Sequence, residues 1–237
     1  MLDFLESQDF YSRLYSLQLL SAISAARPER TQECILTAPL GTTRLVAALE
    51  DPRDAIQNAA LVLLTDLSNA SPELQKLIAF ENAFDRLFAM IAVDGGLQTG
   101  GIVVQDCLSL LANLVRYNGP NQSLFRETGC VAKLAELLPG GKRVPVSEQE
   151  EEWANPQRDK NIWGVLAVLR MFLISGSTAT IQNQNAFVKH GMLQLVLNLA
   201  FDHSTAIPIK AEVRVHRIRF FFQVTANQTL TSKVYRH

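Results

Sequence analysis

Four glycines crowd into a short stretch, Gly95, Gly96, Gly100 and Gly101, a density at which a backbone can wrap a phosphate. A phosphate-cradling loop also needs a preceding strand and a Lys-Ser/Thr pair opening a helix, and neither accompanies these glycines, so they are expected to form a turn between elements. Gly140-Gly141-Lys142-Arg143 comes closer to the end of such a loop, but Val144-Pro145 stands where the hydroxyl and the helix start belong. The four histidines, His190, His203, His216 and His237, share no i, i+4 spacing with one another or with a cysteine. Cys34, Cys107 and Cys130 are odd in number and never form C-x-x-C, which argues against both a disulfide framework and a zinc knuckle. No Ser/His/Asp constellation or carboxylate pair can be singled out by spacing. The sequence therefore calls for no cofactor and no metal, and an enzyme is not expected.

The elements that must carry any site are better marked. Of 237 residues, 48% are apolar and 19% charged, and the mean hydropathy is +0.08. These values exclude a disordered chain and a polytopic membrane protein. Gly and Pro number 12 and 9, a low share that favours long helices over turn-rich β architecture. A net charge of −1 supplies no overall field for nucleic acid or an anionic membrane. The charge is unevenly placed: from Val213 to His237 there are five Lys/Arg and no acid, which leaves the preceding body at −6. The chain opens without a basic n-region or a long apolar run, so the N-x-S/T matches at Asn69, Asn121 and Asn227 are not expected to carry glycans.

A repeat underlies the length. Leu74 to Phe88 aligns with Asn121 to Ala135 at an offset of 47, pairing Gln75 with Gln122, Leu77 with Leu124, Phe84 with Val131 and Leu87 with Leu134. The preceding stripe obeys the same offset: Ala60, Leu63, Leu64, Leu67 become Cys107, Leu110, Leu111, Leu114, an i, i+3, i+4, i+7 pattern that buries one helical face. A third copy, Asn183 to Leu197, pairs Gln184, Phe187 and Gly191 with Gln122, Phe125 and Gly129 at an offset of 62. The excess length falls in the Pro-, Gly- and charge-rich stretch 139–160, which contains Glu148, Glu150, Glu151 and Glu152 and reads as an inserted solvated loop. A looser copy lies 44 residues before the first, with Ser16, Leu19, Leu20 and Ile23 in the stripe positions.

Units of this length built from two or three helices cannot bury their apolar faces alone and must stack. The expected fold is all-α, an armadillo/HEAT-like right-handed α-solenoid of about four repeats, which offers extended grooves rather than a deep desolvated pocket. On such a scaffold Asn113 occupies the position of the ladder asparagine of armadillo repeats, and Asp66 holds the same place one repeat earlier. Two roles are open for Asn113: hydrogen bonding to an extended partner backbone in the groove, or bonding to the neighbouring repeat. Asp66 and Asn113 are the candidate partner-binding residues. Cys107, on the apolar stripe, reads as a buried small hydrophobe.

With the repeats placed, particular strings stand out: Ala79-Phe80-Glu81-Asn82-Ala83-Phe84-Asp85-Arg86, then Gly100-Gly101-Ile102-Val103-Val104-Gln105-Asp106-Cys107-Leu108, then Leu111, Asn113, Leu114, Asn121, Gln122 and Phe125. From about Tyr11 to Glu212 the sequence resembles the globular head of the general vesicular transport factor family. The resemblance implies an armadillo-like head that, in full-length members, precedes a long parallel coiled coil and an acidic tail in a homodimer. It also implies vesicle tethering between endoplasmic reticulum and Golgi, with a Rab GTPase, SNAREs and other Golgi tethering proteins as partners and peripheral attachment to Golgi membranes and transport vesicles.

The expected organisation is a head segment over 1–212, with the inserted loop 139–160, followed by an atypical basic tail over 213–237 that departs from the family pattern and from the solenoid. No heptad run is visible, so this chain is expected to be a monomer or a weak dimer. A non-enzymatic armadillo adaptor or a chaperone-regulating module is the alternative that the repeats alone would serve equally well.

Overall fold

The structure, a computed structural model, describes residues 1–138, 156–174, 179–201 and 205–214. Among them it is all-α, of the solenoid class, and holds no strand. Two compact units emerge, 1–121 and 122–237.

In the first unit a 3-10 turn at Leu2–Glu6 leads into α1 (Phe10–Ala26), α2 (Pro28–Thr37) and α3 (Gly41–Ala47). The second repeat follows as α4 (Asp54–Ala70), α5 (Pro72–Phe80) and α6 (Ala83–Val93), then a short α7 (Gly96–Thr99) and α8 (Ile102–Val115). Local chemistry sets these boundaries. Asp9 accepts the Ser12 N–H at 2.6 Å to cap α1, and Ser71 accepts that of Leu74 at 3.3 Å to cap α5, whose first residue is Pro72. The glycine cluster forms the α6–α8 turn: Gly95 and Gly96 take positive φ, and the Gly101 N–H donates to Asp94 Oδ2 at 2.8 Å.

Helix α4 packs between α1 and α8, and α5 and α6 both pack on α8. Ala60, Leu63, Leu64 and Leu67 are fully buried, as are Cys107, Leu110, Leu111 and Leu114, so both expected stripes face protein. Each leucine so placed contributes about 1.5–3 kcal/mol relative to exposure. The earliest stripe behaves differently: Ser16 and Leu20 are buried, whereas Leu19 is 50% and Ile23 37% exposed. That part of the expected pattern is corrected: α1 packs on α4, α2 and the 3-10 turn, and these two side chains stay exposed.

In the second unit α9 (Gly119–Glu127) contributes most of its length, followed by α10 (Cys130–Leu137), α11 (Pro156–Phe172), α12 (Thr180–Lys189) and α13 (Met192–Phe201). Helix α12 packs on α10, α11 and α13. Phe125, Phe172 and Phe187 form a buried aromatic cluster with centroids 5.1 and 5.2 Å apart, and two of the three come from the aligned repeat position. Leu169 and Leu173 of the α11 region are fully buried.

Two boundaries are corrected. Residues 156–160, expected in the inserted loop, are the first turns of α11, because Pro156 with its fixed φ opens the helix; 139–155, with the acidic run and Gly140-Gly141-Lys142-Arg143, lie outside the described residues. A helical segment over 207–214 buries Ile209 and Val213, so Val213 and Arg214 join the helical body rather than a separate tail; the rest of the expected tail also lies outside the described residues.

One geometric signature marks all four repeats. At the turn between the two shorter helices of each, Leu40, Asn82, Gly129 and Gly191 adopt φ of 55°, 63°, 76° and 73°. Asparagine tolerates this left-handed conformation and glycine is indifferent to it, but a leucine there is strained.

Candidate protein-binding site

The two residues singled out by the repeat offset lie on α4 and α8, neighbours in the first unit. Asp66 is exposed. Asn113 is partly exposed, and its Nδ2 donates to the Thr65 carbonyl at 3.3 Å, one residue from Asp66 along α4. The sequence thus places both on one helix pair, and the Asn113 amide makes the bond to the neighbouring repeat. One turn further, Arg116 Nη2 donates to the Asn69 carbonyl at 2.9 Å and to its Oδ1 at 2.6 Å. Towards the other end of α8, burial raises the Asp106 carboxyl above the ordinary carboxylate range.

This face carries acceptor oxygens at Asp66 and Asp106 and a guanidinium at Arg116, spread along helices rather than converging on a point. Such a row can recognise a polypeptide surface and does not form a general acid–base pair. Cys107 on α8 is fully buried, its thiol pushed up to about 12 by burial with Asp106 and Asp94 nearby, so at neutral pH it is a protonated thiol. Among the described residues no group of three or more His, Cys, Asp or Glu is placed to hold a metal, and no helix is long and apolar enough to cross a membrane.

The structure also reveals polar residues whose roles the sequence did not disclose. Gln75 Nε2 donates to the Ser68 carbonyl at 2.9 Å, at the end of α4. Asn121 Nδ2 donates to the Leu114 carbonyl at 2.7 Å, at the end of α8, and to the Gln75 carbonyl at 2.9 Å. Asn183 Nδ2 donates to the Phe172 carbonyl at 3.0 Å, at the end of α11, and to Gln122 Oε1 at 2.9 Å. At the ends of α4, α8 and α11 a buried amide from the next helix satisfies a carbonyl that the long helix leaves orphaned. Their signal in the sequence was partial: the offset of 62 aligns Asn121 with Asn183, whereas the offset of 47 aligns Asn121 with Leu74 rather than with Gln75.

A second structural feature fixes the start of α4. The fully buried Asp51 carboxylate accepts from Arg53 at 2.8 and 2.9 Å and pairs with Arg13 of α1 at 2.6 Å. The Arg53 side chain, then its backbone N–H and the Arg13 charge, hold the Asp51 carboxyl below its usual range against the opposing effect of burial.

No family model matches the chain. It is 41% identical over 204 residues to the intracellular protein transport protein USO1 of Saccharomyces cerevisiae, covering 86% of this chain and 11% of that protein. It is 33% identical over 211 residues to the general vesicular transport factor p115 of Homo sapiens, covering 88% and 21%. The chain therefore spans about a tenth to a fifth of the length of these relatives. Among solved structures it superposes on Uso1-2 with a TM-score of 0.85 at 38% identity, covering 92% of this chain and 32% of that one. An armadillo-repeats-only protein from Plasmodium falciparum superposes with a TM-score of 0.62 at 14% identity and speaks to the fold alone.

Proposed function

Because the chain is homologous to the head region of the Uso1/p115 vesicular transport factors, we propose that it is a non-enzymatic protein-binding scaffold in vesicle tethering between endoplasmic reticulum and Golgi and within the Golgi. The 41% identity over most of the chain is the observation that carries this reading. Its partners on this reading are a Rab GTPase, SNAREs and other Golgi tethering proteins. Its place is the cytoplasmic side of Golgi membranes and transport vesicles, held peripherally through those partners.

The face of α4 and α8, with Asp66 exposed and Asn113 beside it, is the proposed contact surface. Partner recognition there follows from acceptor oxygens set along neighbouring helices, which a polypeptide with matching donors satisfies without a deep cavity.

Tethering itself requires reach and two ends. We assign both to a longer molecule, so the 237-residue chain binds partners but does not bridge vesicles unaided. The test is a pull-down from cytosol with the purified chain, wild type against Asp66→Ala/Asn113→Ala. Recovery of Golgi SNAREs and a Rab, reduced at least tenfold by the double substitution, supports the reading. Recovery of Hsp70 or importin-type clients instead favours an adaptor or chaperone-regulating module. In a vesicle-capture assay the chain should compete with a full-length tether, and capture by the monomeric chain alone would sink the proposed division of labour.

A further inference from the structure

The hydrogen bonds that run from the end of α8, the turn after it and the first turn of α9 back onto α4 and α5 share a numerical property. Asn113 reaches Thr65, Arg116 reaches Asn69, Asn118 reaches Pro72 and Gln75, and Asn121 reaches Gln75, with donor and acceptor separated by 48, 47, 46, 43 and 46 residues in turn. Each bond thus joins near-equivalent positions of consecutive repeats, whose sequence offset is 47. Asn118 Nδ2 donates to the Pro72 carbonyl at 3.2 Å and to Gln75 Oε1 at 3.1 Å, while its Oδ1 accepts the Asn121 N–H at 3.3 Å. Gln75, Asn118 and Asn121 are all buried.

The apolar contacts between α4 and α8 carry no such ruler. Leucines stand at i+3, i+4 and i+7 of both stripes, at 63, 64 and 67 and at 110, 111 and 114, so sliding one helix past the other by a turn, about 5.4 Å, again sets mostly leucine against leucine. Buried amides do not tolerate that slip, because every donor and acceptor that loses its partner pays its full desolvation. A polar group buried in an apolar seam is the best-attested device for fixing helix register.

We propose that Gln75, Asn118 and Asn121 are positioning residues that fix the register of α8 on α4, and through it the spacing of Asp66 and Asn113. The register assignment stands whether or not a partner occupies that face, and its tests use no partner.

Spin labels at Val62→Cys and Ser109→Cys, in a Cys34→Ser background, report the α4–α8 register, since 62 and 109 are equivalent positions and both side chains are exposed. The otherwise wild-type chain should give one narrow distance distribution. Adding Asn118→Leu/Asn121→Leu should give a second population or a broadened one in protein that remains helical by circular dichroism. A helical variant that keeps the single narrow distribution overturns the proposal.

If the double substitution prevents folding, a urea-unfolding cycle with the milder Gln75→Met and Asn118→Ser decides. Coupling beyond twofold in the unfolding constant supports a shared ruler, and additivity within twofold overturns it.

Discussion

Helices α1 and α4 occupy the same place in successive repeats and carry the same kind of apolar stripe, yet they end in different environments. Leu63 and Leu67 of α4 are fully buried, while their equivalents Leu19 and Ile23 of α1 are half and more than one-third exposed. Tyr11 and Tyr15 extend the uncovered side, stacked with ring centroids 5.8 Å apart. The residues are alike and the neighbours are not: α4 packs between α1 and α8, whereas α1 packs on α4, α2 and the 3-10 turn and leaves Leu19 and Ile23 exposed. In a repeat protein an apolar stripe is therefore a property of the unit, whereas burial is conferred by stacking.

The largest effect is expected where stacking is complete. Leu111 of α8 is fully buried among leucines, and Leu111→Asp would place an unpaired charge there. That costs several kcal/mol against about 5–15 for the stability of an ordinary domain, so circular dichroism should show loss of cooperative folding. Wild-type melting in this variant would break the assigned register. Next comes Leu63→Gln, which removes a packed side chain and buries an amide with no built partner; a loss of about 3–5 kcal/mol is expected from urea titration.

A moderate effect is expected where α1 meets the start of α4. Asp51→Asn keeps the shape but removes the charge that faces Arg13 and Arg53, at a cost of about 1.5–3 kcal/mol at neutral pH. Because the folded carboxyl titrates below its unfolded value of about 3.9, its stabilisation is complete above that value and is lost as pH falls through the lower folded pKa. The gap between wild type and Asp51→Asn should thus hold constant from pH 7 to about pH 5 and close below about pH 4. A gap that persisted into strong acid would assign the effect to packing rather than charge.

The sequence disclosed the repeat, the all-α class and the offset relating Asp66 to Asn113, because each rests on periodic apolar residues or on alignment of the chain with itself. It did not disclose what depends on conformation at a turn. Leu40, Asn82, Gly129 and Gly191 perform one backbone task with three residue types, so only the two glycines aligned. The partnership of Arg13 with Asp51 spans 38 positions and has no period to betray it. Pro156 lay in a stretch read as loop by composition, although proline opens helices as readily as it breaks them. The direction of the Asn113 amide, towards Thr65, likewise depends on how α8 packs against α4.

The smallest effect sharpens the opening contrast most. Leu19→Gln makes at α1 the same change as Leu63→Gln at α4, and leucine and glutamine have similar helix propensities, so the helix itself is little affected. At a half-exposed position the new amide reaches water, and only part of the leucine area is lost, so the cost should stay below about 1 kcal/mol. Measured side by side in urea, the two substitutions should differ by 2 kcal/mol or more, on the order of thirtyfold in the unfolding constant. Equal losses would mean that the outer side of α1 is covered in solution, and that the contrast between the two helices is not one of neighbours. A small loss at 19 with a large one at 63 would establish that position within the stack, rather than residue type, decides what each leucine of the stripe contributes.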